Sequence, residues 1–126
     1  MNNAAENNTQ KNNNGISQKD DRCCKLSVVV SVYNEEKALR EFYKETNKIL
    51  EQIKKSGWEH ELIFVNDGSA DNSLSILEEI AHEDHDVKLI SFSRNFGHEA
   101  AMIAGIDYST GDGIICMDAD LQHPPE

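Results

Sequence analysis

Large apolar residues in this chain follow two alternating patterns. Near-continuous apolar runs occur at Leu26–Val32 (Leu-Ser-Val-Val-Val-Ser-Val), Leu62–Val65, Val87–Phe92 and Ile114–Met117, and such runs suit strands covered on both faces. Between them the apolar positions spread out to three- and four-residue steps. Leu39, Phe42, Tyr43, Ile49, Leu50 and Ile53 draw one stripe along a helix expected from Glu35 to Ser56, with Asn34 as its cap and Glu35 and Glu36 in its first turn. Gly57 ends it. A second helix, capped by Asp71 or Ser73, is apolar at Leu74, Ile76, Leu77 and Ile80, and a short alanine-rich helix runs from Glu99 to Tyr108. The order β-α-β-α-β-α-β predicts an α/β fold with a parallel sheet, right-handed crossovers and helices on both faces.

Parallel strands all end on one rim. Tyr33-Asn34-Glu35, Asp67-Gly68-Ser69, Arg94-Asn95 and Asp118-Ala119-Asp120 are therefore expected to converge, at the edge where open α/β sheets bind ligands. Glu35, Asp67, Asp118 and Asp120 would share that crevice, an arrangement that is costly without a counter-ion or ligand donors. Carboxylate and amide oxygens as close together as those of Asp118, Asp120 and Gln122 suit a hard divalent cation. The Asp-x-Asp spacing alone carries little weight, because Asp84-His85-Asp86 repeats it ahead of a strand, where it reads as a solvated turn. Asp71 reads as an ordinary helix cap, Glu35 equally well as a first-turn acid, and Asp67, before Gly68, also as a former of an Asx turn.

Composition narrows the chemistry. The 126 residues suit one domain or part of one. Residues 1–25 are Asn-rich and poor in large apolar side chains, so they are expected to be a disordered tail before a domain spanning 26–126. The chain carries a net charge of −11, which repels nucleic acid backbones and would equally repel a diphosphate. A bound cation must then supply the attraction. No apolar run reaches the roughly 18–20 residues needed to cross a bilayer, and no signal-peptide layout is present. Cys23 and Cys24 lie in the tail and Cys116 in an apolar run, with no disulfide framework or zinc spacing, which suits a reducing compartment. Phosphate-loop, dinucleotide-binding and hydrolase-elbow motifs are missing.

Four blocks carry a family resemblance: Val30-Ser31-Val32-Tyr33-Asn34-Glu35-Glu36, Val65-Asn66-Asp67-Gly68-Ser69-Ala70-Asp71, Ser93-Arg94-Asn95-Phe96-Gly97-His98-Glu99-Ala100-Ala101, and Asp118-Ala119-Asp120-Leu121-Gln122-His123-Pro124-Pro125-Glu126. Over residues 26–126 the chain resembles the N-terminal half of a glycosyltransferase family 2 catalytic domain, a Rossmann-like nucleotide-diphospho-sugar transferase fold of the GT-A type. The last two blocks resemble those of polyprenyl-phosphate (dolichol- or undecaprenyl-phosphate) mannosyl- and glucosyltransferases. The resemblance implies that Tyr33, Glu35 and Ser31 line the nucleotide base and ribose, and that Asp67 accepts hydrogen bonds from the base with Val65 packed beside it. It further implies that Asp118, Ala119 and Asp120 contact the donor, and that Asp118, Asp120 and Gln122 hold Mg²⁺ or Mn²⁺. Ser31 stands where the family usually has proline, and Asn66 where an acid is commoner.

Arg94 and the amides near Gly97, ahead of a helix, are read as adding positive potential at the diphosphate, Arg94 equally well as an ordinary surface residue. The implied reaction is displacement at the anomeric carbon of a UDP- or GDP-linked sugar by a polyprenyl phosphate oxygen, with inversion. That nucleophile is ionised near neutral pH, and no general base is visible. The implied partners are the nucleotide sugar, the lipid acceptor and a membrane surface engaged through a C-terminal part lacking here, on the cytoplasmic side; nucleic acid is excluded and a homo-oligomer is left open. The family continues beyond the fourth block, so the expectation is a donor-binding half with an exposed sheet edge, poorly stable and inactive alone. A non-catalytic nucleotide-sugar module and a transferase of polysaccharide synthesis stay open as alternatives.

Overall fold

The computed structural model describes residues 24–119. Of the expected tail only Cys24 and Lys25 fall within that range, and Asp120, Gln122 and the residues after them lie outside it. The elements alternate as expected: β1 (Lys25–Val32), α1 (Leu39–Lys55), β2 (Glu59–Asn66), α2 (Ser73–Glu83), β3 (Val87–Ser91), α3 (His98–Tyr108) and β4 (Gly113–Asp118). All strand pairs are parallel, in the order β3-β2-β1-β4.

Alternation along the two central strands sorts side chains to opposite faces. Val28, Val30, Val32, Leu62 and Phe64 face α1 and α2, where they meet Leu39, Phe42, Leu50, Leu77 and Ile80 in one cluster. Phe64 is fully buried and meets Phe42 edge-on at 6.4 Å between ring centroids. Burying a side chain of this size contributes about 2–3 kcal/mol. Val29, Ile63 and Val65 face the other way and pack with Ala101 of α3. Helices thus cover both faces. The approach of α3 is close enough that a Cβ on Gly105 would lie 2.2 Å from Cγ1 of Val29, so only glycine fits there.

The first helix differs most from expectation. Helix α1 begins at Leu39 rather than Glu35, and Asn34 does not cap it, because its backbone is left-handed, with φ of 54°. Asparagine tolerates that region, and its side chain is used across the rim instead. Ile49, expected within the apolar stripe, is 60% exposed because it sits about 100° around the helix from Leu50.

The amino end of the sheet is tied by a buried carboxylate. Glu61, 2% exposed, accepts from the Ser27 hydroxyl at 2.6 Å and the Thr110 N–H at 2.7 Å, with Lys25 and Lys88 at 3.7 and 3.5 Å. Burial pushes its pKa up, but these donors and cations outweigh it and hold the carboxyl below its usual 4.5.

β4 is different. Within the described residues it pairs only with β1, and Ile114, Ile115 and Met117 are 42%, 45% and 37% exposed. Among the described residues β4 and β3 are the outer strands of the sheet.

Candidate functional site

The chain winds from β1 outward to β2 and β3, then returns to the other side of β1 to form β4. This reversal is the switch point at which open α/β sheets leave a crevice beyond the strand ends. Ser31 is register-paired with Val65 on one side and Asp118 on the other. Partners in a parallel ladder point to the same face, so this row lies on the side that carries α3. Above it opens a cleft of about 360 Å³ lined by Ser31, Tyr33, Glu35, Asp67, Asp118 and Ala119, six of the eight residues expected to contact a donor. Asn95, Gly97 and His98 complete the lining. Val65 does not reach the cleft: it has no exposed surface and supports the floor from the α3 cluster.

Side chains lace the loops after β1 and β2 together. The Asn34 N–H donates to the Ser69 hydroxyl at 2.9 Å, and the Ala70 N–H donates to Oδ1 of Asn34 at 2.7 Å. The Glu35 N–H donates to the Ser73 hydroxyl at 2.9 Å, which fixes the backbone that carries Glu35 to the start of α2. Asp71 accepts from the N–H groups of Ser73 and Glu36. Burial opposes ionisation of that carboxyl, but these donors prevail and its pKa lies below 3.8. Asp71 is thus a structural acid, but not the cap expected: Asn72 stands at the N-cap of α2 without a side-chain cap bond, and Ser73 is already the first helical residue. The Asp84-His85-Asp86 copy is also the turn expected, and Asp84 additionally accepts from the Tyr43 hydroxyl at 2.6 Å.

Asn66 and Asp67 divide two tasks. Oδ1 of Asn66 accepts from the Ser69 N–H at 3.3 Å, so the side chain-to-backbone turn belongs to Asn66 rather than to Asp67. Its amide also donates to the Ser91 hydroxyl at the end of β3. Asp67, 2% exposed, reaches the other way. Its carboxylate accepts from the Phe96 N–H at 2.8 Å, the Gly97 N–H at 3.1 Å and the Asn95 side-chain amide at 3.1 Å. Gly68 makes this possible: its φ is +69°, and a Cβ there would lie 2.2 Å from the Arg94 carbonyl carbon.

This arrangement corrects one expectation. The amides of Phe96 and Gly97, thought available to a diphosphate, are already engaged by Asp67, and Glu99 adds a second acid in the first turn of α3. The positive end of α3 is compensated from within the protein. Nor is Arg94 among the residues lining the cleft, since its guanidinium sits 4.7 Å above the Phe96 ring.

The residue that sequence reasoning missed is His98. It opens α3, and its Nδ1 lies 2.9 Å from Oδ1 of Asp118 on the cleft wall. Only the return of β4 beside β1 makes the two neighbours, and nothing local in the sequence signals it.

Asp118 presents a half-exposed oxygen donor of the kind Mg²⁺ or Mn²⁺ takes. The donor chemistry fits, although no group of three His, Cys, Asp or Glu able to hold an ion occurs among the described residues, and Asp120 and Gln122 lie outside them.

Fold and cleft together define a doubly wound α/β protein with an acidic cleft at its switch point. The chain belongs to glycosyl transferase family 2, whose sequence profile matches residues 27–126. It is 50% identical over 105 residues to an uncharacterized glycosyltransferase, YkcC, of Bacillus subtilis (strain 168), covering 83% of this chain and 32% of that protein. It is 49% identical over 102 residues to a prophage bactoprenol glucosyl transferase homolog of Escherichia coli (strain K12), with 81% and 32% covered. Against an undecaprenyl-phosphate 4-deoxy-4-formamido-L-arabinose transferase of Proteus mirabilis (strain HI4320) the identity is 48% over 103 residues, with 81% and 31% covered. The chain thus spans about a third of the length of these relatives. Among solved structures, S. aureus TarS 1–349 in complex with UDP-GlcNAc matches with a TM-score of 0.62 at 27% identity, over 76% of this chain and 26% of that one. The mannosyltransferase PcManGT from Pyrobaculum calidifontis, in complex with GDP-Man and Mn²⁺, matches in fold with a TM-score of 0.64 at 23% identity, over 79% and 28%. The fold is of the GT-A type.

Proposed function

We propose that the chain is the donor-binding part of a metal-dependent, inverting glycosyltransferase that moves a sugar from a UDP- or GDP-linked donor to a polyprenyl phosphate. One observation carries the reading: residues from three strand ends, far apart in sequence, line one cleft at the switch point. Relatives named for bactoprenol and undecaprenyl-phosphate transfer supply the acceptor class.

Tyr33, 48% exposed, offers a ring face for the base, and Glu35 offers a carboxylate on a backbone fixed by Ser73. Asp67, implied by the resemblance to accept from the base, is 2% exposed with its carboxylate taken by Asn95, Phe96 and Gly97, so here it holds that loop as a wall of the cleft rather than meeting the base itself. Asp118, with Asp120 and Gln122, would hold Mg²⁺ or Mn²⁺. When bound, that ion neutralises the diphosphate and acts as a Lewis acid toward the departing nucleotide. The need for it follows from charge, because the cleft is acidic and the start of α3 is already matched by Asp67. An acceptor phosphate oxygen is ionised at neutral pH, so a single displacement needs no strong base from the protein. Because the acceptor is a lipid, the reaction belongs at a membrane surface.

Calorimetric titration of the full-length polypeptide with UDP- and GDP-sugars, with and without Mn²⁺, tests the reading. Binding of one donor class that requires the ion, and that Asp120→Asn abolishes, is expected. Donor binding of equal strength in the presence of a chelator would overturn the metal assignment.

A further inference from the structure

We propose that His98 is a positioning residue for Asp118, holding its carboxylate in the orientation that receives a divalent cation. The inference rests on the metal-dependent reading of the cleft given above.

The geometry argues it in three steps. Nδ1 of His98 and Oδ1 of Asp118 are 2.9 Å apart, and two lone pairs at that distance would repel, so Nδ1 carries hydrogen and faces the carboxylate with it. Among the described residues Oδ2 has no partner. His98 is itself held in place. It follows Phe96 and Gly97, whose N–H groups are bound by the buried Asp67, and the left-handed φ of 107° at Gly97 turns the chain into α3. The contact is thus the last link of a strut running from the end of β2, through the loop, to the end of β4. Asp118, finally, has a side chain 59% exposed, and among the described residues His98 is its one side-chain partner, so neighbouring packing contributes little to its rotamer.

A polar pair this exposed contributes little to stability. Its effect lies in orientation, as with the outer partners of metal ligands generally, whose loss lowers metal affinity about 10- to 100-fold.

The test follows Mn²⁺ affinity of the full-length polypeptide by electron paramagnetic resonance, in the presence of GDP and separately of UDP, alongside thermal melting. His98→Ala is expected to weaken Mn²⁺ binding about 10- to 100-fold with an unchanged melting temperature. His98→Asn, whose amide nitrogen falls near the position of Nδ1, is expected to recover most of that loss. His98→Gln, whose amide falls near Nε2, is not. Wild-type Mn²⁺ affinity in His98→Ala, with Asp118→Asn losing the ion, would overturn the role of His98 and leave the cleft reading intact. Wild-type affinity in Asp118→Asn as well would overturn the metal reading itself. Equal loss in the Asn and Gln variants, accompanied by lowered melting, would reduce His98 to a structural residue and sink the proposal.

Discussion

Replacing Asp67 by alanine removes the acceptor for three donors: the Phe96 and Gly97 N–H groups and the Asn95 amide, at 2.8 to 3.1 Å. Hydrogen bonds to a charged acceptor contribute about 1.5–3 kcal/mol each, so their gross sum is about 4–9 kcal/mol. Two effects reduce it. Asn95 and Phe96 are exposed and regain water when released, and removing a buried carboxylate relieves its own desolvation. We expect a net loss of about 2–4 kcal/mol, concentrated in the loop. At 1.4 kcal/mol per factor of ten, the Phe96 and Gly97 amides should exchange with solvent roughly 30- to 700-fold faster, while amides of the β1–β2 ladder change less. Hydrogen exchange read residue by residue measures this directly. Asp67→Asn keeps one acceptor oxygen but turns an amide donor toward the loop, and should fall between the two. Wild-type exchange at Phe96 and Gly97 in Asp67→Ala would refute the strut and remove the support claimed for His98.

Gly68→Ala would force a Cβ to 2.2 Å from the Arg94 carbonyl carbon at a left-handed φ, costing about 2–5 kcal/mol from conformational strain and displacement of the loop. A urea midpoint equal to wild type would contradict the geometry. Glu61 gives a pH prediction. Its folded pKa is below 4.5, so its contribution is fully present above about pH 4.5 and is lost as pH falls through the lower folded value. Glu61→Gln should lower stability by about 1–3 kcal/mol at neutral pH. The gap from wild type should close in urea titrations below pH 4.5, and a constant gap down to pH 3 would show that ionisation is irrelevant.

Much of the architecture could be read from local pattern because its causes are local. Val28 to Val30 and Leu62 to Val65 are apolar on both faces and lie between layers of helix, and the alternation of elements implied the parallel rim that gathers Tyr33, Asp67 and Asp118. The misreadings occur where a side chain answers to a distant partner. Asn34 has the composition of a helix cap, yet its carbonyl is taken by Ala70, 36 residues away. Asp67 looks like a turn former, but the loop 29 residues on claims its carboxylate and leaves the turn to Asn66. Val65 belongs to a binding block in the chain but is buried beneath the floor of the cleft. His98 needed knowledge of which strand returns beside β1, and strand order is a global property.

The carboxylate lodged at the start of α3 has a consequence for ligand design. Inhibitors of nucleotide sites often keep a phosphate mimic to satisfy backbone amides, but at Phe96 and Gly97 that demand is met internally. An anionic linker would meet Asp118 and Glu35 without an ion to mediate. On the proposed donor-binding reading, a nucleoside carrying a basic group in place of its pyrophosphate would instead bring its own counter-charge, and should compete best when divalent ions are scarce.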